Sequence, residues 1–177
     1  MTPEEITTRL AERFPDAGLE CLVDKGYAII RMSVDKLGDV LKALKVEPEF
    51  GFDMLTDLTA VDWLERKPRF DIIYHLYSVG HNHRLRLKVG VEDGQPVPSA
   101  TRLWAIADWM ERELWDLYGI KFSGHPNLKR LLLYEEFKGH PLRKDYPYDK
   151  RQPLMAETWP VRDKQARMEA GDKIHRP

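Results

Sequence analysis

Apolar residues recur at helical spacing in three parts of the chain, and each part predicts an amphipathic helix. The first follows Thr2-Pro3-Glu4-Glu5, where a capping hydroxyl, a proline at the first helical position and acids in the first turn indicate a helix start. The second covers about 34–44, with Ser33 as the expected N-cap. The third covers about 99–118 and should end at Gly119, because glycine readily adopts the left-handed conformation at a helix C-terminus.

Shorter segments with β-branched or alternating apolar residues predict strands between these helices. Lys25-Gly26 is a two-residue hairpin signal between the first two strands. In segment 83–91, apolar residues at 85, 87, 89 and 91 alternate with Arg84, Arg86 and Lys88, which predicts an antiparallel strand with one face in water or on a partner. The strands are expected over about 19–23, 27–32, 70–79 and 83–91. Segment 52–64 fits either a strand or a helix, and its β-branched residues favour an extended segment that ends near Trp63.

The order of these elements predicts a two-layer α+β fold for residues 1–145. We expect a mixed or antiparallel sheet of about five strands with flanking helices, because hairpins segregated from helices argue against a doubly wound parallel sheet. After Gly119 the pattern is loop-like, with one short element expected around 128–137. From Tyr146 onward prolines recur and periodicity is weak, so 146–177 is predicted to be an extended tail that packs on partner subunits.

Composition excludes several classes of protein. Hydrophobic residues make up 42% and charged residues 32%, which excludes wholesale disorder. A formal net charge of −1 creates no basic field for nucleic acid or an anionic membrane. Cys21 is the single cysteine, so the chain can neither close a disulfide nor alone hold a cluster that needs about four thiolates. We find no secretory signal and no apolar membrane span, and expect membrane contact only through partners.

The histidines are the first candidates for chemistry. His75, His81 and His83 could form a metal site, but zinc needs three or four oriented ligands and no acid or thiol stands at a matching spacing. A polar hairpin turn is the favoured interpretation. His125 and His140 each stand in Gly-His-Pro, which predicts two rigid corners with hydrogen-bonding side chains. A proton-handling pair is the alternative.

The predicted third helix carries several carboxylates. On a helical wheel centred on Met110, Glu111 and Glu113 flank the apolar face on opposite sides, so they are not expected to act as an acid–base pair. Glu113 is expected to be half-buried and to need a cationic partner. The opposite, exposed face is expected to carry Asp108, Arg112 and Asp116.

Tryptophans on the same wheel lie outside the apolar face, at Trp104, Trp109 and Trp115. Aromatic side chains away from the core are typical of surfaces that bind other proteins, and this favours a partner interface. The alternatives are a helix break near Ala105 or a tail that covers the tryptophans. Basic runs at 129–130 and 143–144 lack a glycine-rich phosphate loop, so ion pairing is the favoured interpretation there.

Segment 111–147 resembles the signature of one protein family. The pattern runs through Glu111-Arg112-Glu113, Asp116-Leu117-Tyr118, His125, Lys129, Leu131-Leu132 and Gly139-His140-Pro141-Leu142-Arg143-Lys144-Asp145-Tyr146-Pro147. It resembles the C subunit of the bacterial proton-translocating NADH:quinone oxidoreductase (NADH dehydrogenase I), which is respiratory complex I. Similar stretches at 58–62 and 81–88 extend the resemblance over residues 52–147.

The resemblance implies a non-catalytic structural subunit of the peripheral arm of an enzyme that couples NADH oxidation and quinone reduction to proton translocation. Partner subunits would hold NADH, FMN, the iron–sulfur clusters and quinone, and this chain would bind no cofactor or metal. Its chief partner would be the adjacent quinone-site subunit, on the cytoplasmic side of the bacterial inner membrane. The alternatives are a subunit of a related membrane-bound hydrogenase-type complex and a stand-alone metal-dependent hydrolase that uses histidine and carboxylate.

The aromatic residues and the resemblance together locate the expected partner interface in the second half of the chain. No catalytic residue is expected. The expected interface residues are Trp104, Glu111, Arg112, Glu113, Trp115, Asp116, His125, Lys129, His140, Arg143, Lys144, Asp145 and Tyr146.

Overall fold

The computed structural model describes residues 1–150 and 152, so most of the predicted tail, 146–177, lies outside the described residues. The helices stand before or between groups of consecutive strands. In chain order they are α1 (Pro3–Arg13), a short 3-10 helix (Pro15–Ala17), β1 (Glu20–Asp24), β2 (Tyr27–Ser33), α2 (Leu37–Val46), β3 (Met54–Asp62), β4 (Phe70–Ser78), β5 (His83–Val91), β6 (Val97–Pro98), α3 (Ala107–Tyr118) and β7 (Phe122–Ser123).

A five-stranded mixed sheet in the order β1-β2-β5-β4-β3 forms one layer. Only the central pair, β2 and β5, is parallel, and every other neighbouring pair is antiparallel. Lys25 and Gly26 both have positive φ, 50° and 79°, as the predicted two-residue hairpin requires. The α+β prediction, with about five strands in a mixed sheet, is therefore confirmed.

The three α-helices pack on one face of the sheet and enclose a single core. Side chains alternate along β4, where Phe70, Ile72, Tyr74 and Leu76 point into the core. They meet Ile6 and Leu10 of α1 and the apolar stripe of α2. The opposite face of the sheet has no helix against it in the part of the chain that the structure describes. We call it the open face.

The start of α1 agrees with the sequence prediction, whereas the start of α2 does not. The Thr2 hydroxyl accepts from the Glu5 amide at 3.2 Å, and the Glu5 carboxylate accepts from the Thr2 amide at 2.9 Å, which is a capping box. Lys36, not Ser33, is the N-cap of α2. Ser33 is still in β2, so the prediction that Ser33 caps the helix is wrong.

The third helix starts at Ala107, and the prediction of a helix from residue 99 is wrong. Residues 100–106 form tight turns, in which the Ala100 carbonyl accepts from the Leu103 and Trp104 amides at 2.9 and 3.0 Å. Trp104 therefore does not lie on the wheel of α3. Its ring turns into the core, and its Nε1 donates to the Phe52 carbonyl at 3.1 Å.

The end of α3 agrees with the sequence, because Gly119 is the C-cap with φ of 78°. The short element expected around 128–137 is not a helix or a strand in the structure. Contacts from α3 side chains hold that segment instead, as described below. None of the helices in the described residues combines the length and hydropathy that a membrane crossing requires.

Candidate partner interface

Residues 128–147, which we call the strap, run across α3 without regular secondary structure. Asp116 is their main anchor. Its buried carboxylate accepts from the successive backbone amides of Leu131, Leu132 and Leu133 at 3.0, 2.8 and 2.9 Å, and from Arg130 Nη1 at 2.7 Å. Burial alone would raise the pKa of Asp116, but the three amides and the Arg130 guanidinium outweigh it and lower that pKa. Asp116 therefore remains an anion that fixes the backbone of the strap.

Arg112 lies one helical turn before Asp116 in α3 and fixes the beginning of the strap. Its Nε donates to the Lys129 carbonyl at 3.2 Å and its Nη2 donates to the Arg130 carbonyl at 2.9 Å. The Trp109 ring covers the guanidinium, with 5.2 Å from Cζ to the ring centroid. Arg112 is thus a nearly buried cation whose partners are carbonyl oxygens of its own chain.

Glu111 holds the opposite side of α3. Its fully buried carboxylate accepts from Ser99 Oγ at 2.7 Å and from the Ala100 amide at 2.6 Å. Desolvation raises the pKa of Glu111 to about 7, and the two hydrogen bonds oppose this only in part. The Glu111 carboxylate therefore holds the turns before α3 in place by hydrogen bonds. It has no paired cation among the described residues.

The wheel prediction for α3 is wrong in two respects. Arg112 and Asp116 were expected on an exposed face, but the strap covers that face and buries them. Glu113 was expected to be half-buried, but it is exposed. The physical reason is that a helical wheel assumes one buried side, whereas α3 is buried by the sheet on one side and by the strap on the other. Glu111 and Glu113 consequently lie in different environments and do not form a pair.

The two Gly-His-Pro histidines are hydrogen-bonding corners. His125 accepts from the Asn127 amide at Nδ1 (3.0 Å), and its Nε2 lies 3.2 Å from the Asp108 carbonyl oxygen. His140 donates from Nδ1 to the Asp116 carbonyl at 2.9 Å. The two imidazoles therefore attach the chain to opposite ends of α3, as the rigid-corner interpretation predicted.

An ionic network closes the far end of the strap against the sheet. Arg143 bridges Asp93 and Asp145, with Nη1 to Asp93 Oδ1 at 3.0 Å and Nε to Asp145 Oδ1 at 3.1 Å. Arg69 bridges Asp145 and the buried Asp62 at 2.9 and 2.7 Å. Asp62 also accepts from the backbone amide of Lys144 at 2.8 Å.

The guanidinium groups in this network lower the pKa of all three carboxyl groups. Arg69 is the main cause at Asp62 and at Asp145, and Arg143 is the main cause at Asp93. Sequence reasoning named Arg143, Lys144 and Asp145 but missed Arg69, Asp62 and Asp93. A usable signal existed, because charged residues at the ends of apolar strands can meet charges from elsewhere in the chain.

The predicted interface residues fall into two groups. Trp104, Glu111, Arg112, Asp116 and the side chain of His125 are buried and partnered inside the chain. Trp115, His140, Arg143 and Tyr146 are partly covered, while Glu113, Lys129, Lys144 and Asp145 are exposed. The Trp115 ring lies between His140 and Arg130, at 6.3 and 5.6 Å, and Tyr146 stacks on Phe137 at 6.1 Å. The buried residues determine the shape of the surface, but they cannot themselves contact a partner protein.

Four large apolar side chains are exposed among these charged ones, on α3, on the turn before it and on the strap. Leu132 is 61% exposed although its own amide is bound to Asp116, and Trp109 is 57% exposed although it covers Arg112. Ile106 and Leu142 are about half exposed. We call these four residues the α3–strap surface. Of the four, only Trp109 stood out in the sequence, although three successive leucines in a charged segment were a signal for Leu132.

The histidines at the β4–β5 turn do not assemble a metal site. His81 and His83 stack at 5.2 Å and their Nε2 atoms donate to the Pro48 and Phe50 carbonyls at 2.9 and 2.7 Å. His75 lies on the open face of the sheet, whereas His83 points into the core. In residues 1–150, no group of three or more histidine, cysteine or carboxylate residues has the geometry to hold a metal ion.

Comparison with known proteins gives consistent results. The family described as "Respiratory-chain NADH dehydrogenase, 30 Kd subunit" matches residues 30–152. A protein of Citrifermentans bemidjiense, named as the C subunit of NADH-quinone oxidoreductase, is 44% identical over 140 residues, covering 78% of this chain and 86% of that protein. The protein of the same name from Roseiflexus castenholzii is 43% identical over 143 residues, covering 80% and 82%.

Solved structures show the same fold. The trypsin-resistant fragment (1–134) of Nqo5 superposes with a TM-score of 0.63 at 27% identity, covering 72% of this chain and all of that fragment. A chain of the membrane-bound sulfane sulfur reductase, an archaeal respiratory membrane complex, superposes with a TM-score of 0.68 at 23% identity. It covers 98% of this chain and 95% of that chain, and at this identity the likeness shows the fold alone.

Proposed function

Because this chain belongs to the family of the 30 kDa subunit of respiratory-chain NADH dehydrogenase, we propose that it is a structural subunit of the peripheral arm of an NADH:quinone oxidoreductase. That enzyme couples NADH oxidation and quinone reduction to proton translocation. The contribution of this chain is to bind neighbouring subunits and hold them in position, without an active site of its own.

The α3–strap surface is the observation that carries this proposal. The charged residues of α3 that were candidates for an active site instead bind the backbone of their own chain, and Asp116 alone binds three amides of the strap. Such an arrangement uses its polar groups to fix shape and leaves Trp109 and Leu132 exposed on a fixed backbone. Rigid apolar side chains on a pre-organised surface are the usual anchors of protein–protein interfaces.

The partner, location and cofactor assignments are parts of the same proposal. The quinone-site subunit is the proposed neighbour at the α3–strap surface, on the cytoplasmic side of the inner membrane. NADH, FMN, iron–sulfur clusters and quinone would be held by partner subunits. The internally bonded histidines and carboxylates support this assignment, and metal analysis of the purified chain tests it, since stoichiometric zinc or iron would contradict it.

The proposed role of segment 146–177 is to pack along partner subunits. The recurring prolines and weak apolar periodicity of that segment support the proposal. The ionic network supports it as well, because Arg143 and Asp145 fix the direction of the chain just before the segment begins. Limited trypsin digestion is the test: sites beyond Lys150 should be protected in the complex, and equal cleavage in the free chain and the complex would contradict the proposal.

A competition assay tests the assembly function. The wild-type chain and a Leu132→Ser variant are expressed together in a host that lacks its own copy, and their ratio in the purified complex is divided by their ratio in the lysate. We expect Leu132→Ser to be disfavoured roughly tenfold, because an apolar anchor of this size stabilises an interface by about 1.5 kcal/mol or more. NADH:quinone turnover per assembled complex should stay at the wild-type value.

Val46→Ser is the matched control, because Val46 is equally exposed, at 62% against 61% for Leu132, but lies at the end of α2. This control should enter the complex at the wild-type ratio. Urea unfolding of each isolated variant separates loss of fold from loss of binding. Full incorporation of Leu132→Ser with slowed turnover would overturn the assignment of this surface to assembly.

A further inference from the structure

The open face of the sheet carries a cluster of cations on its two central strands. Arg84, Arg86 and Lys88 alternate along β5 on the side away from the helices. Arg31 of β2 stands directly opposite Lys88 in the register of the two strands. Arg86 stands between Ile29 of β2 and His75 of β4 in the same row.

None of these four cations has a carboxylate within salt-bridge distance in the described residues. Arginines elsewhere in the chain do, since Arg66 pairs with Asp71 and Arg69 pairs with Asp62. Glu20 is the register partner of Arg31 but forms no ion pair with it. Asp71 lies on the open face, but it already accepts from Arg66 and from Trp63 Nε1. The basic cluster is therefore not neutralised by the acids near it.

Tyrosine rings of the neighbouring strands lie next to two of the guanidinium groups. Arg84 lies over Tyr77 at 5.1 Å and Arg86 lies over Tyr27 at 5.8 Å. Arg86 Nε is buried and has no hydrogen-bond partner in the described part of the structure. An unpaired buried donor of this kind destabilises the isolated chain. Like charges opposite each other on neighbouring strands, as at Arg31 and Lys88, also destabilise a sheet that stays bare.

We propose that this basic face binds an acidic segment of a neighbouring subunit, in addition to the contact at the α3–strap surface. Carboxylates of that segment would meet Arg31, Arg86 and Lys88, and its apolar side chains would meet Ile73, which stands opposite Lys88 on β4. This inference rests on the proposed assembly function, because the acidic segment would belong to another subunit of the same complex. It adds a second interface on the opposite side of the sheet.

The charge balance argues against the chain's own C-terminal residues as the occupant. Residues 151–177 contain six arginines and lysines and four acids, so they carry a net charge of +2, the same sign as the four central cations of the face. The charged neighbours of the face on the flanking strands are Glu20, Asp24, Asp57 and Asp71. These acids frame the basic centre and would orient an acidic strand along it.

Carbodiimide cross-linking of the intact complex tests the proposal directly, because it joins an amine to a carboxylate in contact with it. We expect mass spectrometry to identify an amide between Lys88 and an aspartate or glutamate of another subunit. A Lys88→Arg variant, which keeps the charge but lacks the amine, should assemble normally and lose this cross-link. A link from Lys88 to an acid within 151–177, or free acetylation of Lys88 in the assembled complex, would overturn the proposal.

Charge reversal provides the second readout. Arg86→Glu with Lys88→Glu should be disfavoured about tenfold or more in the competition assay, because like charges then face each other across the interface. The matched control, Lys36→Glu with Lys42→Glu, reverses two exposed cations near and within α2 and should incorporate normally.

Two further results separate the possible failures. Normal incorporation of the double reversal on β5, alongside loss for Leu132→Ser, would remove the second interface and leave the assembly function intact. If the wild-type chain enters no complex, both the second interface and the assembly function are contradicted. If Lys88 becomes open to acetylation only after nuclease treatment, the basic face was covered by a nucleic acid. That result would overturn the proposal.

Discussion

Two buried carboxylates in one helix behave differently because of the groups that surround them. Asp116 receives three amides and a guanidinium, which lower its pKa, whereas Glu111 receives one amide and one hydroxyl and has its pKa raised to about 7. Both were visible in the sequence as acids of α3. Their burial was not, because it depends on the strap and on the turns before Ala107. At the residue scale, the sequence identifies the chemical group and the tertiary structure decides its charge state.

Glu111 should make the stability of the chain depend on pH near neutrality. Its folded-state pKa of about 7 lies above the usual value of 4.5, so the folded state binds the proton more tightly than the unfolded state. The resulting stability is fully present below about pH 4.5 and is lost as the pH rises to about 7. As the pH rises from 5 to 8, we expect the free energy of unfolding of the wild type to fall by about 2.5 kcal/mol more than that of Glu111→Gln, measured by urea unfolding at each pH.

The difference between the wild-type and Glu111→Gln curves isolates this group from others that titrate nearby. His75 and His83 have lowered pKa values because of burial, so they add stability as the pH rises, in both proteins alike. Glu113→Gln is the matched control, since Glu113 is exposed on the same helix. Parallel curves for the wild type and Glu111→Gln would show that Glu111 is ionised in the folded chain throughout this range.

Secondary structure was predictable where it depends on local sequence. The α1 capping box and the Lys25-Gly26 hairpin use residues that are neighbours in the chain, and both are present as expected. The start of α2 was misplaced because the pairing of Ser33 with β5 extends β2 past the cap signal. Trp104 was misplaced because the distant Phe52 carbonyl draws its indole into the core. Each error comes from a contact between segments far apart in sequence.

The end of the strap gives a test at the scale of an element. Arg143 joins Asp93, Asp145 and the Tyr118 carbonyl, so Arg143→Ala releases the strap where the chain leaves the domain. We expect a loss of only about 1 kcal/mol in the free energy of unfolding, because the two carboxylates are half exposed. Incorporation in the competition assay should fall roughly tenfold, since a mispositioned strap and following segment lose several contacts together.

Arg9→Ala serves as the control for Arg143→Ala. It removes the exposed ion pair that Arg9 of α1 forms with Glu49 at 2.7 Å, far along the chain from the strap. Incorporation of this control should equal that of the wild type. Normal assembly of Arg143→Ala with slow quinone reduction would assign Arg143 to the reaction instead of to assembly.

At the scale of the whole molecule, the sheet separates two surfaces of different chemistry. The helices and the strap present apolar residues such as Leu132, and the open face presents the basic residues of β5. The alternation along β5 predicted that one face would meet water or a partner, and the structure shows which residues that face carries. The sequence could not show that its cations lack carboxylate partners among the described residues, because that depends on strands β2 and β4 beside it.

The two surfaces should act independently in assembly. Leu132 lies on the strap over α3 and Lys88 lies on the far side of the sheet, and they share no contact in the described residues. Substitutions at separate sites without shared partners usually add in free energy. We therefore expect the incorporation ratio of Leu132→Ser combined with Lys88→Glu to equal the product of the two single ratios, within about twofold. A double variant no worse than the poorer single variant would mean that one partner segment contacts both surfaces, and that the chain is bound as a single continuous interface.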